Sequence, residues 1–262
     1  MTSRWMVFPK ANPNARICLV CFPCAGRGAS LYRNWPGPLG KDVEICAIQL
    51  PGRENRMDEP PFTRFQDLIS VLAEVLLPFL DREYAIFGHS LGALIGFEVA
   101  RRIREIKGIT PIQLFASAQH APQIPDPMPP IGMLPDAEFL TAVQQRYDGI
   151  PHEILREPEV LSLLLPMLRA DFKIFEDYSY HPERPLACGI TALGGLGDSV
   201  TSPEQLSAWG LQTQGVFRLQ MFPGDHFFVQ SAGTRGSGLS IERAVCGDQD
   251  RFREVSMILR HI

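Results

Sequence analysis

The chain holds one serine set for nucleophilic chemistry. Gly88-His89-Ser90-Leu91-Gly92 fits the G-x-S-x-G nucleophile elbow, in which a serine sits on a sharp turn between a strand and a helix. Side chains two residues to either side are expected to collide with the strained serine, so glycine at both places lets strand and helix close on each other. The context fits: Tyr84-Ala85-Ile86-Phe87 reads as a buried strand, and Leu91, Leu94, Ile95, Val99 and Ile103 give the next segment one apolar helical face. Ser90 then stands at a helix N-terminus, where the amide of Leu91 can donate to a developing oxyanion. A second donor is expected from Pro23-Cys24-Ala25-Gly26-Arg27-Gly28, with a backbone amide near Ala25. This turn lacks the Walker Gly-Lys-Ser/Thr ending and the spacing of a dinucleotide fingerprint; a plain tight turn is its other reading.

A serine nucleophile needs a base and an acid to orient it. Among His89, His120, His152, His181, His226 and His261, only His226 directly follows a late strand, Phe217 to Phe222. His89 is expected to point away from Ser90, as strand neighbours do. Asp198 follows the strand Gly189-Ile190-Thr191-Ala192-Leu193, giving the chain order Ser, Asp, His of α/β-hydrolases. Asp225 is the competing acid, but it adjoins His226 and is poorly placed to reach round the ring.

The elements that must position these groups follow a strand–helix rhythm. Arg16 to Phe22 and Val43 to Ile48 are apolar runs suited to strands covered on both faces. Thr63 is expected to cap a helix in which Phe65, Leu68, Ile69, Leu72, Leu76 and Leu80 recur at helical spacing. The elbow strand and helix come next, then a strand at Ile112 to Ser117. The alternation predicts an α/β fold with a mostly parallel sheet and helices on both faces. Prolines 122, 125, 127, 129, 130 and 135 then break the rhythm, and helices are expected near Asp136–Tyr147 and Glu157–Tyr178. The whole chain, 1–262, is expected to be a single domain with a helical lid inserted at about 120–180. Phe139, Leu140, Leu161, Leu164, Leu165, Leu168 and Phe172 are mostly packing for that insertion, with an acyl channel as the second reading. Residues 231–248 read as a loop, and Phe252 to Leu259 as a closing helix.

Composition bounds the class. Of 262 residues, 45% are hydrophobic and 21% charged, which suits a globular enzyme. A net charge of −4 gives no reason to expect nucleic acid. No apolar stretch reaches membrane-spanning length, and Met1-Thr2-Ser3-Arg4-Trp5 is not a secretory signal, so the expected location is the cytoplasm. Cys18, Cys21 and Cys24 recur every third residue, yet two of them lie in a strand run and no second ligand cluster accompanies them. All six cysteines are read as free thiols, with no metal.

Taken together the motifs resemble the type II thioesterases, discrete editing hydrolases of polyketide and nonribosomal peptide pathways. The resemblance is carried by Phe22-Pro23-Cys24-Ala25-Gly26, Leu50-Pro51-Gly52-Arg53, the elbow, Phe97-Glu98, Leu168-Arg169-Ala170-Asp171-Phe172, Gly194 to Val200, Trp209 and Gly224-Asp225-His226-Phe227-Phe228. Two positions depart from the pattern: Arg27 replaces a usual second glycine, and Asp225 replaces a usual glycine before the histidine. The resemblance implies an α/β-hydrolase fold and no cofactor. Its substrate would be an acyl group held as a thioester on the phosphopantetheine arm of a carrier protein. Arg27 and Phe227 are candidate substrate contacts, and a monomer is expected. A cyclising or acyl-transferring enzyme, and a non-catalytic carrier-binding module, are the alternatives.

Overall fold

The computed structural model describes residues 4–36, 39 and 42–229. The expectations placed on residues 231–248, on the stretch from Phe252 to Leu259 and on His261 lie outside them. Seven strands form one sheet: β1 (Met6–Val7), β2 (Ile17–Phe22), β3 (Val43–Ile48), β4 (Glu83–His89), β5 (Gln113–Ser117), β6 (Gly189–Gly195) and β7 (Phe217–Phe222). Their order is β1-β3-β2-β4-β5-β6-β7. Only β1 is antiparallel, pairing Met6 with Ile48. Two residues are too few to show a strand period, so sequence patterning passes over β1. All residues of β2, β3 and β5 are buried, which is why these strands read as continuous apolar runs.

The helices are α1 (Phe65–Leu76), α2 (Leu91–Lys107), α3 (Asp136–Tyr147), α4 (His152–Leu155), α5 (Pro158–Glu176) and α6 (Pro203–Ser207). One face of the sheet, including Cys18, Val20, Phe22 and Ile86, packs against Leu68 and Leu72 of α1 and Leu94, Phe97 and Ile103 of α2. Burying each such side chain contributes about 1.5–3 kcal/mol. The other face, with Ile17, Leu19, Cys21, Ile45 and Phe87, meets Tyr32 of a 3₁₀ turn at Ala29–Tyr32, together with Leu39, Phe228 and Val229. The chain turns helical at Phe228 and Val229.

Thr63 does not cap α1. The N-cap position falls to Arg64, in extended conformation with no side-chain cap bond. The helix also stops before Leu80: Pro78 follows in a 3₁₀ turn at Leu77–Phe79, and Leu80 reaches the core from beyond it. At the other end of α2, Gly108 takes φ +70° and donates to Arg104 O at 2.8 Å, a left-handed C-cap. No helix among the described residues is long and apolar enough to cross a membrane.

Between β5 and β6 the chain forms α3, α4 and α5. Ile131, Phe139, Val143, Leu168 and Phe172 give this segment a small core of its own. Helix α5 divides at Pro166. Its buried residues, Met167, Leu168, Ala170, Asp171, Phe172 and Ile174, all follow the proline. The sheet reverses its strand order between β2 and β4, since β3 lies on the far side of β2. In open α/β sheets the crevice at the carboxyl ends of two such strands is where ligands bind.

Candidate active site

Strand β4 ends in that crevice and turns into α2 at Ser90, whose φ of +52° and ψ of −124° lie outside the regions most residues adopt. The glycines explain how the turn closes. A Cβ on Gly88 would lie 2.2 Å from the Gly92 carbonyl oxygen, and one on Gly92 would lie 2.2 Å from the Phe22 carbonyl oxygen. The collision is therefore with backbone rather than with the serine. Ser90 N–H donates to Ser117 O at 2.7 Å, tying the elbow to β5.

His226 Nε2 lies 3.1 Å from Ser90 Oγ, and His226 Nδ1 lies 3.0 Å from Asp198 Oδ2. The second oxygen of Asp198 accepts the Val200 N–H at 2.8 Å, so the buried carboxylate is held on both sides. Asp225 is not in contact with the ring: its Oδ1 accepts the Phe227 N–H at 2.8 Å. His89 is wholly buried, with Nδ1 2.9 Å from Ser117 Oγ and its ring 5.6 Å from that of His226. Burial, aided by its neighbour His226, holds His89 well below the usual imidazole range, so it stays neutral.

On the opposite lip lies the turn after β2. Ala25 lines the cavity beside Ser90 and Leu91. Leu91 opens α2, so its N–H has no carbonyl partner within the helix. Cys24 also lines the cavity, but burial pushes its thiol up to about 12, which keeps it protonated. Cys18, Cys21, Cys24, Cys46 and Cys188 are free and buried.

The cavity measures about 330 Å³. Leu140, Leu161, Leu164, Leu165, Leu168 and Phe172 line it, so the insertion supplies cavity wall as well as packing; Phe139 sits instead in the small core, 5.4 Å edge-on from Phe172. Both candidate substrate contacts, Arg27 and Phe227, are in the lining. Tyr147, which sequence reasoning missed, sets its ring edge-on to His226 at 5.2 Å. Its only sequence signal is a position at the end of a predicted helix, which does not show where the ring points.

Arg53 and Arg56 are buried at 4% and 3% exposure. Arg53 pairs with Asp171, while Arg56 pairs with Glu59 and lies 4.0 Å over the Trp5 ring.

The thioesterase domain family matches residues 18–236. The linear gramicidin dehydrogenase LgrE of Brevibacillus parabrevis is 46% identical over 87% of this chain and 88% of its own. The gramicidin S biosynthesis protein GrsT of Aneurinibacillus migulanus is 42% identical over 87% and 88%. The name of the first speaks of a dehydrogenase, yet Gly26-Arg27-Gly28-Ala29-Ser30 runs into Leu31 where a dinucleotide fingerprint has its third glycine. Among solved structures, the type II thioesterase BorB from the borrelidin biosynthetic cluster superposes with a TM-score of 0.81 at 33% identity, over 93% of this chain and 99% of that one. The fold is thus that of the α/β-hydrolases. The chain belongs to the thioesterase domain family, hydrolases acting on thioesters, and resembles within it the type II enzymes of nonribosomal peptide and polyketide pathways.

Proposed function

We propose that this thioesterase removes acyl groups from the phosphopantetheine arm of carrier proteins, with Ser90 as nucleophile, His226 as base and Asp198 as the acid that orients it. The observation that carries the reading is the 3.1 Å approach of His226 Nε2 to Ser90 Oγ at the wall of an apolar cavity. Ser90 Oγ attacks the thioester carbonyl as His226 takes its proton. Asp198 holds the imidazole in the tautomer that can accept it and stabilises the cation formed. The amides of Ala25 and Leu91 stabilise the oxyanion. As the C–S bond breaks, the proton passes to the departing carrier thiol, leaving an acyl-Ser90 ester. Water deprotonated by His226 then releases the acid and regenerates the serine.

The chain acts as one domain whose 120–180 segment is the lid over the acyl group, with Arg27 and Phe227 as substrate contacts. It works as a monomer in the cytoplasm, on carrier proteins of a biosynthetic synthase. The deciding experiment mixes the protein with acyl-loaded carrier protein and follows it by intact mass. A transient acyl adduct on Ser90, decaying to free acid, is expected. Carrier binding without an adduct would leave a binding module, and a cyclic or transferred product would leave an acyl-transferring enzyme.

A further inference from the structure

The turn that would supply Ala25 to the oxyanion is gripped from outside by two buried charges. Arg27 N–H donates to Cys24 O at 3.2 Å, and of the two central residues only Gly26 has positive φ, +74°. That is a type II turn, whose own hydrogen bond uses neither of the central amides. Gly26 N–H donates to Asp171 Oδ2 at 2.8 Å. Asp171 receives Arg53 through two further bonds, Nη1 to Oδ2 at 2.9 Å and Nη2 to Oδ1 at 2.7 Å. Arg53 Nη1 also donates to Arg27 O at 3.0 Å. Asp171 and Arg53 are 1% and 4% exposed. One ion pair thus joins helix α5, the Leu50–Arg53 loop and the second half of the turn.

We infer that Arg53 and Asp171 are positioning residues for the oxyanion turn: by holding Gly26 N–H and Arg27 O they fix the Ala25–Gly26 and Arg27–Gly28 peptides, and with them the turn conformation that leaves Ala25 N–H free to face the acyl carbonyl. The inference rests on the proposed role of Ser90 and the turn amides. A fork-shaped guanidinium on a carboxylate fixes orientation as well as distance, which a point charge does not. The same bonds anchor the buried half of α5, so the wall of the acyl cavity and the oxyanion turn are set by one contact. A pair serving stability alone would have no need to reach the turn.

The test separates positioning from folding. Asp171→Asn keeps the volume, but with Arg53 holding the amide oxygen it turns an NH₂ group toward Gly26 N–H. The double variant Arg53→Met/Asp171→Leu removes both charges together, a change buried pairs often tolerate in stability. Thermal melting is measured first. In the folded variants kcat is expected to fall about 10- to 100-fold, short of or equal to the loss of an oxyanion donor, with KM within about twofold. Binding of n-pentylboronic acid, which forms a tetrahedral anionic adduct, should weaken with kcat. Binding of a hexyl-pantetheine thioether, which has no carbonyl, should not change. A folded variant with wild-type kcat overturns the inference, as does equal weakening of boronate and thioether. Unfolding of both variants assigns the pair to stability and also overturns it. The serine reading fails separately, if Ser90→Ala still binds the boronate as wild type does.

Discussion

Asp198 Oδ2 lies 3.0 Å from His226 Nδ1, and neither side chain is more than 4% exposed. Out of water, a carboxylate at that nitrogen selects the tautomer whose free Nε2 lone pair faces Ser90. Asp198→Asn can hold the ring in the opposite tautomer and is expected to cut kcat by about 10⁴-fold. Asp225→Asn, whose carboxylate binds only its own loop, should stay within a few-fold of wild type. A greater loss in Asp225→Asn, in steady-state hydrolysis of an acyl-pantetheine, would exchange the two roles.

Ser90→Ala and His226→Ala are each expected to lose on the order of 10³-fold or more, and the double variant little beyond the worse single. In the proposed mechanism proton transfer between Nε2 and Oγ is one event, so removing either partner would remove it whole. Multiplied losses in the double variant, from kcat measured on all three, would mean that the groups act separately.

The elbow, the two late loops that carry Asp198 and His226, and the strands around them were legible because each is a local pattern: an apolar run ended by glycine and a chemical residue. The roles of distant motif residues were not. Phe97 and Trp209 pack edge-on at 5.3 Å, and Trp209 Nε1 donates to Gln119 O at 2.8 Å, contacts that no spacing reveals. Glu98 accepts both Tyr178 and Arg101, fastening the end of the inserted segment to α2. Arg53 is the sharpest case. A loop arginine in sequence reads as solvated, and only its partner 118 residues later explains its burial. Helix α6 was passed over although Ser202 and Gln205 form a capping box, because five residues carry no helical period.

Neutral, buried His89 links stability to pH. Its pKa is lowered by folding, so the unfolded chain takes up a proton below its ordinary value of about 6.5 that the folded chain refuses. Stability is therefore full above that pH and declines as pH falls through it, by about 1.4 kcal/mol per pH unit from this group. In urea unfolding at pH 7, 6 and 5, His89→Gln should show a shallower decline than wild type, whatever its stability at pH 7. Parallel declines would mean that His89 is not the group responsible.

The last expectation concerns substrate recognition. Acyl-carrier protein should exceed the same acyl group on pantetheine or coenzyme A by at least about tenfold in kcat/KM, or about 1.4 kcal/mol of transition-state binding. Net charge cannot supply it, since the chain carries −4 and would not draw in an acidic partner. Arg53 and Arg56 are paired inside the fold, and Arg27 is the arginine that lines the cavity. The apolar alternative is more extensive. Before Pro166, helix α5 has no buried residue, and Leu163 there is 62% exposed while Leu161, Leu164 and Leu165 line the cavity. A carrier docking on that half-helix would gain by apolar burial, which salt does not screen. The preference should thus persist from low to high ionic strength, and Leu163→Ser should reduce it without changing hydrolysis of acyl-pantetheine. A preference that vanishes in salt would return the task to Arg27, and equal efficiency on all three substrates would leave a general acyl-thioester hydrolase with no carrier recognition.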